Sequence, residues 1–243
     1  MNNSNTADAQ PVGRPNVIVF DVNETLSDMR GLATTFADLG ASPDLAATWF
    51  SGLLRDGFAL TVTGANPDFA ALASRSLHSV LAAHGVHHLD DAVDTVMGTF
   101  TQLPVHDDVI EGVRALAAAG IRLVTLSNGS TSVAQGLFER NGIADCFERL
   151  LSVADAPAWK PAKAAYEYAL SECGATAAET MLVAVHPWDI HGASAAGLTT
   201  AFVNRTGVPY PGFFDRPDGQ VTSLVQLAAT LVGDGGEGSS PGH

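Results

Sequence analysis

Val17-Ile-Val-Phe20, running into Asp21-Val-Asn-Glu-Thr25-Leu-Ser-Asp28, decides how this chain is read. Four consecutive apolar residues fit a strand buried on both faces, as the inner strands of parallel sheets are. The run stops at Asp21, with Thr25 four positions further on. Ligands of open parallel sheets bind outside the carboxyl ends of the strands, so a carboxylate at that edge stands where chemistry is done. Asp21 can serve there as nucleophile, base or metal ligand. The alternative is that it caps the next turn or helix.

Three later segments bring further polar groups after apolar runs or turns. Ile121-Arg-Leu-Val-Thr-Leu126 ends in Ser127-Asn128-Gly129-Ser130. In Ala158-Trp159-Lys160-Pro161 a single lysine precedes a proline that reads as a helix start. Met181-Leu-Val-Ala-Val185 ends in His186-Pro187-Trp188-Asp189. Between the first strand and this rhythm, residues 30 to 100 read as helices only, near Pro43–Leu54, Phe69–His84 and Asp90–Phe100. Asn66-Pro67-Asp68 is a helix-start signal. From Pro104 to about Phe202 strands and helices alternate, with helices expected near 108–119, 132–141, 162–173 and 192–196. Val208 to Gly219 reads as irregular surface.

The pattern predicts an α/β parallel-sheet core with an all-helical cap inserted after the first strand. Residues 16–29 and 101–232 form the core, 30–100 the cap, and 1–15 and 233–243 flexible tails. Such a cap above the strand ends would exclude water from the chemistry.

Charge narrows the partners. Twelve basic residues stand against 26 acidic ones, a net charge of −14. Nucleic acid and anionic membrane are poor partners for such a chain, because both need clustered cations. No apolar run approaches the ~20 residues that span a bilayer. The polar start lacks the pattern of a secretory signal, and two cysteines make no disulfide framework, so a cytoplasmic setting is expected. A small anionic substrate would need local cations against the global field. That singles out Lys160, Arg55 and Arg30. A homodimer through an apolar cap face is a further expectation.

The order Asp, Ser-Asn, Lys, Asp resembles the four-motif pattern of the haloacid dehalogenase superfamily of hydrolases. Leu126-Ser-Asn-Gly-Ser130, Leu150-Leu-Ser-Val153, Trp159-Lys-Pro161, Trp188-Asp189 and Asn204-Arg-Thr-Gly207 are similar to its type II, L-2-haloacid dehalogenase branch, over roughly residues 16 to 230. The resemblance implies a Rossmann-like core with a helical cap, and Asp21 as a nucleophile that forms an ester. Thr25 would hydrogen-bond Asp21, and Lys160 would hold it ionised as a counter-ion. Ser127 and Asn128 would bind the substrate carboxylate, with Asn128 also lining a halide site. Asp189 would direct the hydrolytic water, with His186 as base or hydrogen-bond donor. Trp49, Phe50, Phe58 and Trp188 would wall the site.

Several positions depart from the family. Superfamily phosphatases carry a second aspartate two residues after the nucleophile, to protonate a leaving alkoxide. Asn23 cannot act as that acid, whereas a halide needs none. The dehalogenases themselves have Tyr-Gly where this chain has Asn23-Glu24. Phe50 stands where they use an arginine in the first cap helix. Arg55 is the nearest cation to replace it, unless it pairs with Asp56 or lies in solvent. Ala184 and His186 replace Ser and Asn. The expected function is hydrolytic dehalogenation of short 2-haloalkanoic acids through an Asp21 ester, with no metal and no cofactor. The rivals are a magnesium-dependent phosphatase of the same superfamily and a non-catalytic binding relative.

Overall fold

A computed structural model describes residues 13–233. The expected tails at 1–15 and 233–243 therefore lie almost wholly outside the described residues. The order of elements is β1 (Val17–Phe20), α1 (Gly31–Asp38), α2 (Leu45–Val62), α3 (Phe69–Ala83), α4 (Leu89–Thr101), α5 (Val109–Ala118) and β2 (Arg122–Ser127). It continues α6 (Thr131–Arg140), β3 (Phe147–Ser152), α7 (Lys163–Cys173), β4 (Thr180–Ala184), α8 (Pro187–Ala195), β5 (Thr199–Val203), β6 (Gly219–Val221) and α9 (Leu224–Gly233). Among the described residues no helix is long and apolar enough to cross a membrane.

The six strands form one sheet in the order β3-β2-β1-β4-β5-β6, and every neighbouring pair is parallel. This is the α/β architecture expected from the sequence. Strand β1 alternates between two cores. Val17 and Val19 enter the one shared with α7 and α8, while Ile18 and Phe20 enter the one beneath α5, α6 and α9. All four are buried, which is why the run is apolar without alternation. The strand order reverses direction between β1 and β4, and the crevice at such a switch point is where doubly wound sheets take ligands. Asp21 follows β1 there, and His186 follows β4.

Helices α1 to α4 occupy the stretch after β1, one helix more than the sequence pattern resolved. Their inward residues, including Phe36, Trp49, Leu53, Phe69, Leu77, Val96 and Phe100, are continuous with the apolar core on one side of the sheet. The start at Asp68 is real, since its carboxylate accepts the Ala71 N–H at 2.8 Å. Three boundaries differ from expectation. Helix α2 continues to Val62 instead of ending at Leu54, and its buried Gly57 lies where a Cβ would meet the Trp159 ring at 2.3 Å. Helix α8 begins at Pro187, not Gly192, with proline at its first position, where a missing N–H costs nothing. Pro161 does not start α7; the Lys160–Pro161 peptide is cis, and the helix begins two residues later.

Candidate active site

Asp21, Lys160 and Asp189 meet at the β1/β4 switch point. Lys160 Nζ donates to Asp21 Oδ1 at 2.9 Å and to Asp189 Oδ2 at 2.6 Å. The lysine and Asp189 side chains are fully buried, and that of Asp21 is 5% exposed. A buried lysine with two carboxylates remains charged: burial alone would lower its pKa, but Asp189 and Asp21 together raise it. The other oxygen of Asp21, Oδ2, accepts from Thr25 Oγ1 at 2.6 Å and meets His186 Nδ1 at 3.2 Å. Thr25 in turn accepts the Val185 N–H at 3.1 Å, tying the loop after β1 to the loop after β4.

One cation between two carboxylates drives their proton affinities apart. Burial pushes the Asp21 pKa up, but Lys160, His186 and Thr25 outweigh it and hold the carboxyl well below the usual range. For Asp189, burial is the largest cause and prevails over Lys160, with the Asp21 charge adding to it, so its pKa is raised. The first is an ionised anion and the second a better proton acceptor. Tyr166, on the buried face of α7, donates to Asp189 Oδ1 at 2.6 Å. The close approach that permits this comes from Gly192 on α8, where a Cβ would lie 2.6 Å from the Tyr166 hydroxyl and 2.7 Å from Pro161.

His186 sits between two anions. Its Nε2 meets Glu24 Oε2 at 2.8 Å on the side opposite Asp21. Burial would lower its pKa, but the hydrogen bonds and charges of Asp21 and Glu24 raise it from 6.5 to about 10. The two carboxylates thus favour the imidazolium, in which both nitrogens donate, and with it the role of donor over that of general base. Trp188 lies against it, ring centres 5.0 Å apart, and also 5.9 Å from Lys160 Nζ.

The Ser-Asn turn after β2 divides its work. Asn128 is buried and clamps the backbone of Lys160: Oδ1 accepts the Lys160 N–H at 3.0 Å, and one hydrogen of Nδ2 goes to its carbonyl at 3.3 Å. The second Nδ2 hydrogen has no acceptor among the described residues. Ser127 Oγ accepts the Gly129 N–H at 2.9 Å, and among the described residues no acceptor takes its own hydrogen. Asn23 lines a narrow cleft with Phe100, Leu103 and Arg140, and its Nδ2 lies 3.5 Å from where a Cβ on Gly129 would project.

The helices after β1 reach this site with aromatic groups. Phe69 stacks on Trp159 at 5.6 Å, beside Lys160, and the Trp159 indole donates to the Pro67 carbonyl at 3.0 Å. Asn66 Nδ2 donates to the Val153 and Ala156 carbonyls at 3.2 and 2.9 Å. Phe58 meets Trp188 edge-on at 4.9 Å.

A family model described as hydrolase, haloacid dehalogenase-like hydrolase, matches residues 15–197. The chain belongs to the haloacid dehalogenase-like hydrolases. Over 216 residues it is 27% identical to (S)-2-haloacid dehalogenase 1 of Pseudomonas sp. (strain CBS-3), covering 88% of this chain and 95% of that one. It is also 27% identical to haloacetate dehalogenase H-2 of Moraxella sp. (strain B), over 217 residues, 87% of this chain and 97% of the relative. A crystal structure of a dehalogenase with an intermediate complex superposes with a TM-score of 0.83 at 27% identity, covering 89% of this chain and 96% of that one.

Two residues expected at the site of this family member find their partners within the helical insert. Arg55 projects from the outer face of α2, its side chain 76% exposed, and pairs with its neighbour Asp56 at 2.8 Å. Phe50 is buried within the helical insert against Trp49 and Phe100. Two others were not anticipated. Tyr166 was visible in principle as a lone hydroxyl on the apolar stripe Ala165-Tyr166-Ala169-Cys173, where a buried tyrosine must find a partner. Glu24 left no local signal, since its partner lies 162 positions away.

Magnesium, the metal of the rival phosphatase reading, asks for a near-octahedral shell of oxygens. Here the Lys160 ammonium is bonded to both Asp21 and Asp189, filling the place between them. With the ammonium held on both carboxylates, these donors do not fit a magnesium site.

Proposed function

We propose that this chain is a hydrolytic dehalogenase of short 2-haloalkanoic acids, acting through a covalent ester on Asp21. One observation carries the reading: a buried carboxylate, stripped of bulk water and kept ionised by Lys160, with a second carboxylate of raised proton affinity on the same lysine. Pairs of titratable groups pushed apart in this way mark a division of chemical roles. Asp21 attacks C2 and expels the halide with inversion. Water then attacks the ester carbonyl, and Asp189 accepts the proton that this water gives up. Asn23 suits the first step, because a halide leaves as a stable anion and needs no acid.

Binding follows from the groups left unspent. The free Ser127 hydroxyl and the Asn23 amide orient the substrate carboxylate. Trp188 and Phe58 wall the reacting carbon. Residues 30–100 serve as a cap whose aromatic underside keeps the site dry. The names of the relatives, a 2-haloacid and a haloacetate dehalogenase, support a haloacid substrate.

The test is bromide or chloride release from bromoacetate and L-2-chloropropionate with EDTA present. Release that disappears in Asp21→Asn is the expected result. No release, or release unaffected by that substitution, defeats the reading.

A further inference from the structure

Asp21 does not offer its two oxygens equally. A carboxylate oxygen has two lone pairs. Oδ2 already accepts from Thr25 at 2.6 Å and faces His186 at 3.2 Å, whereas Oδ1 accepts only from Lys160. Positions 24 and 186 are two at which this chain departs from the pattern that the family resemblance implies, and in the structure the two side chains meet. Glu24 is held at φ 63°, a left-handed conformation that costs a non-glycine residue about 1 kcal/mol or more. In that conformation its carboxylate meets Nε2 of His186 at 2.8 Å. The histidine ring is 12% exposed and flanked by Trp188.

We propose that His186, held by Glu24, is a catalytic group of this chain: with Thr25 it receives, on Oδ2 of Asp21, the charge of the intermediate in ester hydrolysis. The inference rests on the ester mechanism proposed above. In the first half-reaction an Oδ1 lone pair forms the bond to C2 while the carbon–halogen pair leaves with the halide. Oδ2 becomes the ester carbonyl oxygen, still facing the Thr25 hydroxyl and the His186 Nδ1–H. In the second, water adds to Cγ, one proton passes to Asp189, and the carbonyl π pair moves onto Oδ2. Two fixed donors on that oxygen are what an oxyanion site requires. The pair then returns, the Cγ–Oδ1 bond breaks, and the departing alkoxide takes the proton from Asp189. Asp21 is left as the acid, carrying the water oxygen, and loses its proton to solvent.

Glu24 is the positioning residue. Four groups bear on the ring's charge: Asp21 and Glu24 on its two nitrogens, Lys160 across Trp188, and Asp189 on its own helix. The two bonded anions raise its pKa from 6.5 to about 10 against the effect of burial. The sign is that of a raised base: the stability that the charged ring contributes is complete below pH 6.5, and both it and the donor role are lost as pH climbs through about 10.

Glu24→Gln keeps a hydrogen-bonding side chain at Nε2 and removes the charge. In that variant one equivalent of bromide per enzyme should still be released from bromoacetate, at a rate within about threefold of the parent. Steady-state turnover should fall by about tenfold to a hundredfold, as for the loss of one oxyanion donor. Esterified Asp21 should accumulate in the intact mass, and the alkaline limb of turnover should move to lower pH. An unchanged steady state, or burst and turnover lowered together with the limb in place, overturns the inference. If the variant does not fold, the unaltered protein decides: His186 followed by NMR should titrate near pH 10, and a midpoint near 6.5 overturns it. Failure of the underlying reading looks different, since the parent enzyme would then release no bromide and carry no ester.

Discussion

The sheet edge and the helical insert divide the site between them. The ionised groups, Asp21, Glu24, Lys160, His186 and Asp189, come from segments at the ends of β1 and β4 or from the loop before α7. The insert brings Phe58, Phe69 and the tether at Asn66. Strand ends in a sheet buried on both sides move little, so charges that must meet within 3 Å are carried there. Helices joined to the core through stacked rings and a few hydrogen bonds can set shape and dryness without disturbing those distances. The charged centre is thus assembled without Phe50 or Arg55, whose partners are in the insert.

The comparison predicts that damage on the two sides differs in kind. Lys160→Met should have the largest effect: it leaves two buried carboxylates without their cation, costing about 3–5 kcal/mol of stability and all turnover. Urea unfolding and halide release measure both, and a stable, active variant would break the assignment of charge to the core. Gly57→Ala tests the junction. A Cβ there would lie 2.3 Å from the Trp159 ring, which Phe69 and the Pro67 carbonyl hold in place. Overpacking of this kind costs about 1–3 kcal/mol. It should raise KM more than it lowers the rate of the chemical step; the reverse pattern would place the insert inside the chemistry. Arg55→Ala should do least, leaving kcat/KM within about twofold, because surface pairs contribute little. A large loss there would return Arg55 to the site.

Much of this was legible in the sequence, for reasons that differ by element. The strands β1 and β4 announce themselves because burial on both faces demands unbroken apolar runs, β2 by a run interrupted at Arg122 and Thr125, and the polar residue ending each run marks the edge. Helix ends were harder. Residue 54 closes an apolar cluster in α2, yet the buried positions 49, 50, 53 and 57 continue the same stripe for another turn. That spacing also places Arg55 on the outer face, so its exposure follows from periodicity once the helix is drawn to its full length. Asn128 illustrates another limit. An amide after a strand reads equally as ligand group or backbone clamp, and only the fold brings the Lys160 peptide 3.0 Å from it. The His186–Glu24 contact is beyond any local pattern, since it depends on the crossover that sets β4 beside β1 and on a backbone turn at Glu24.

The three tryptophans happen to sample the molecule in turn. Trp49 lies in the insert's own core, its indole N–H donating to the Ala73 carbonyl at 3.2 Å; Trp159 spans the junction, and Trp188 rests against His186. The protein therefore carries a built-in set of optical reporters. With the other two replaced by phenylalanine, each indole's emission follows one region alone: insert melting, junction opening, or the charge of the histidine as substrate arrives and leaves.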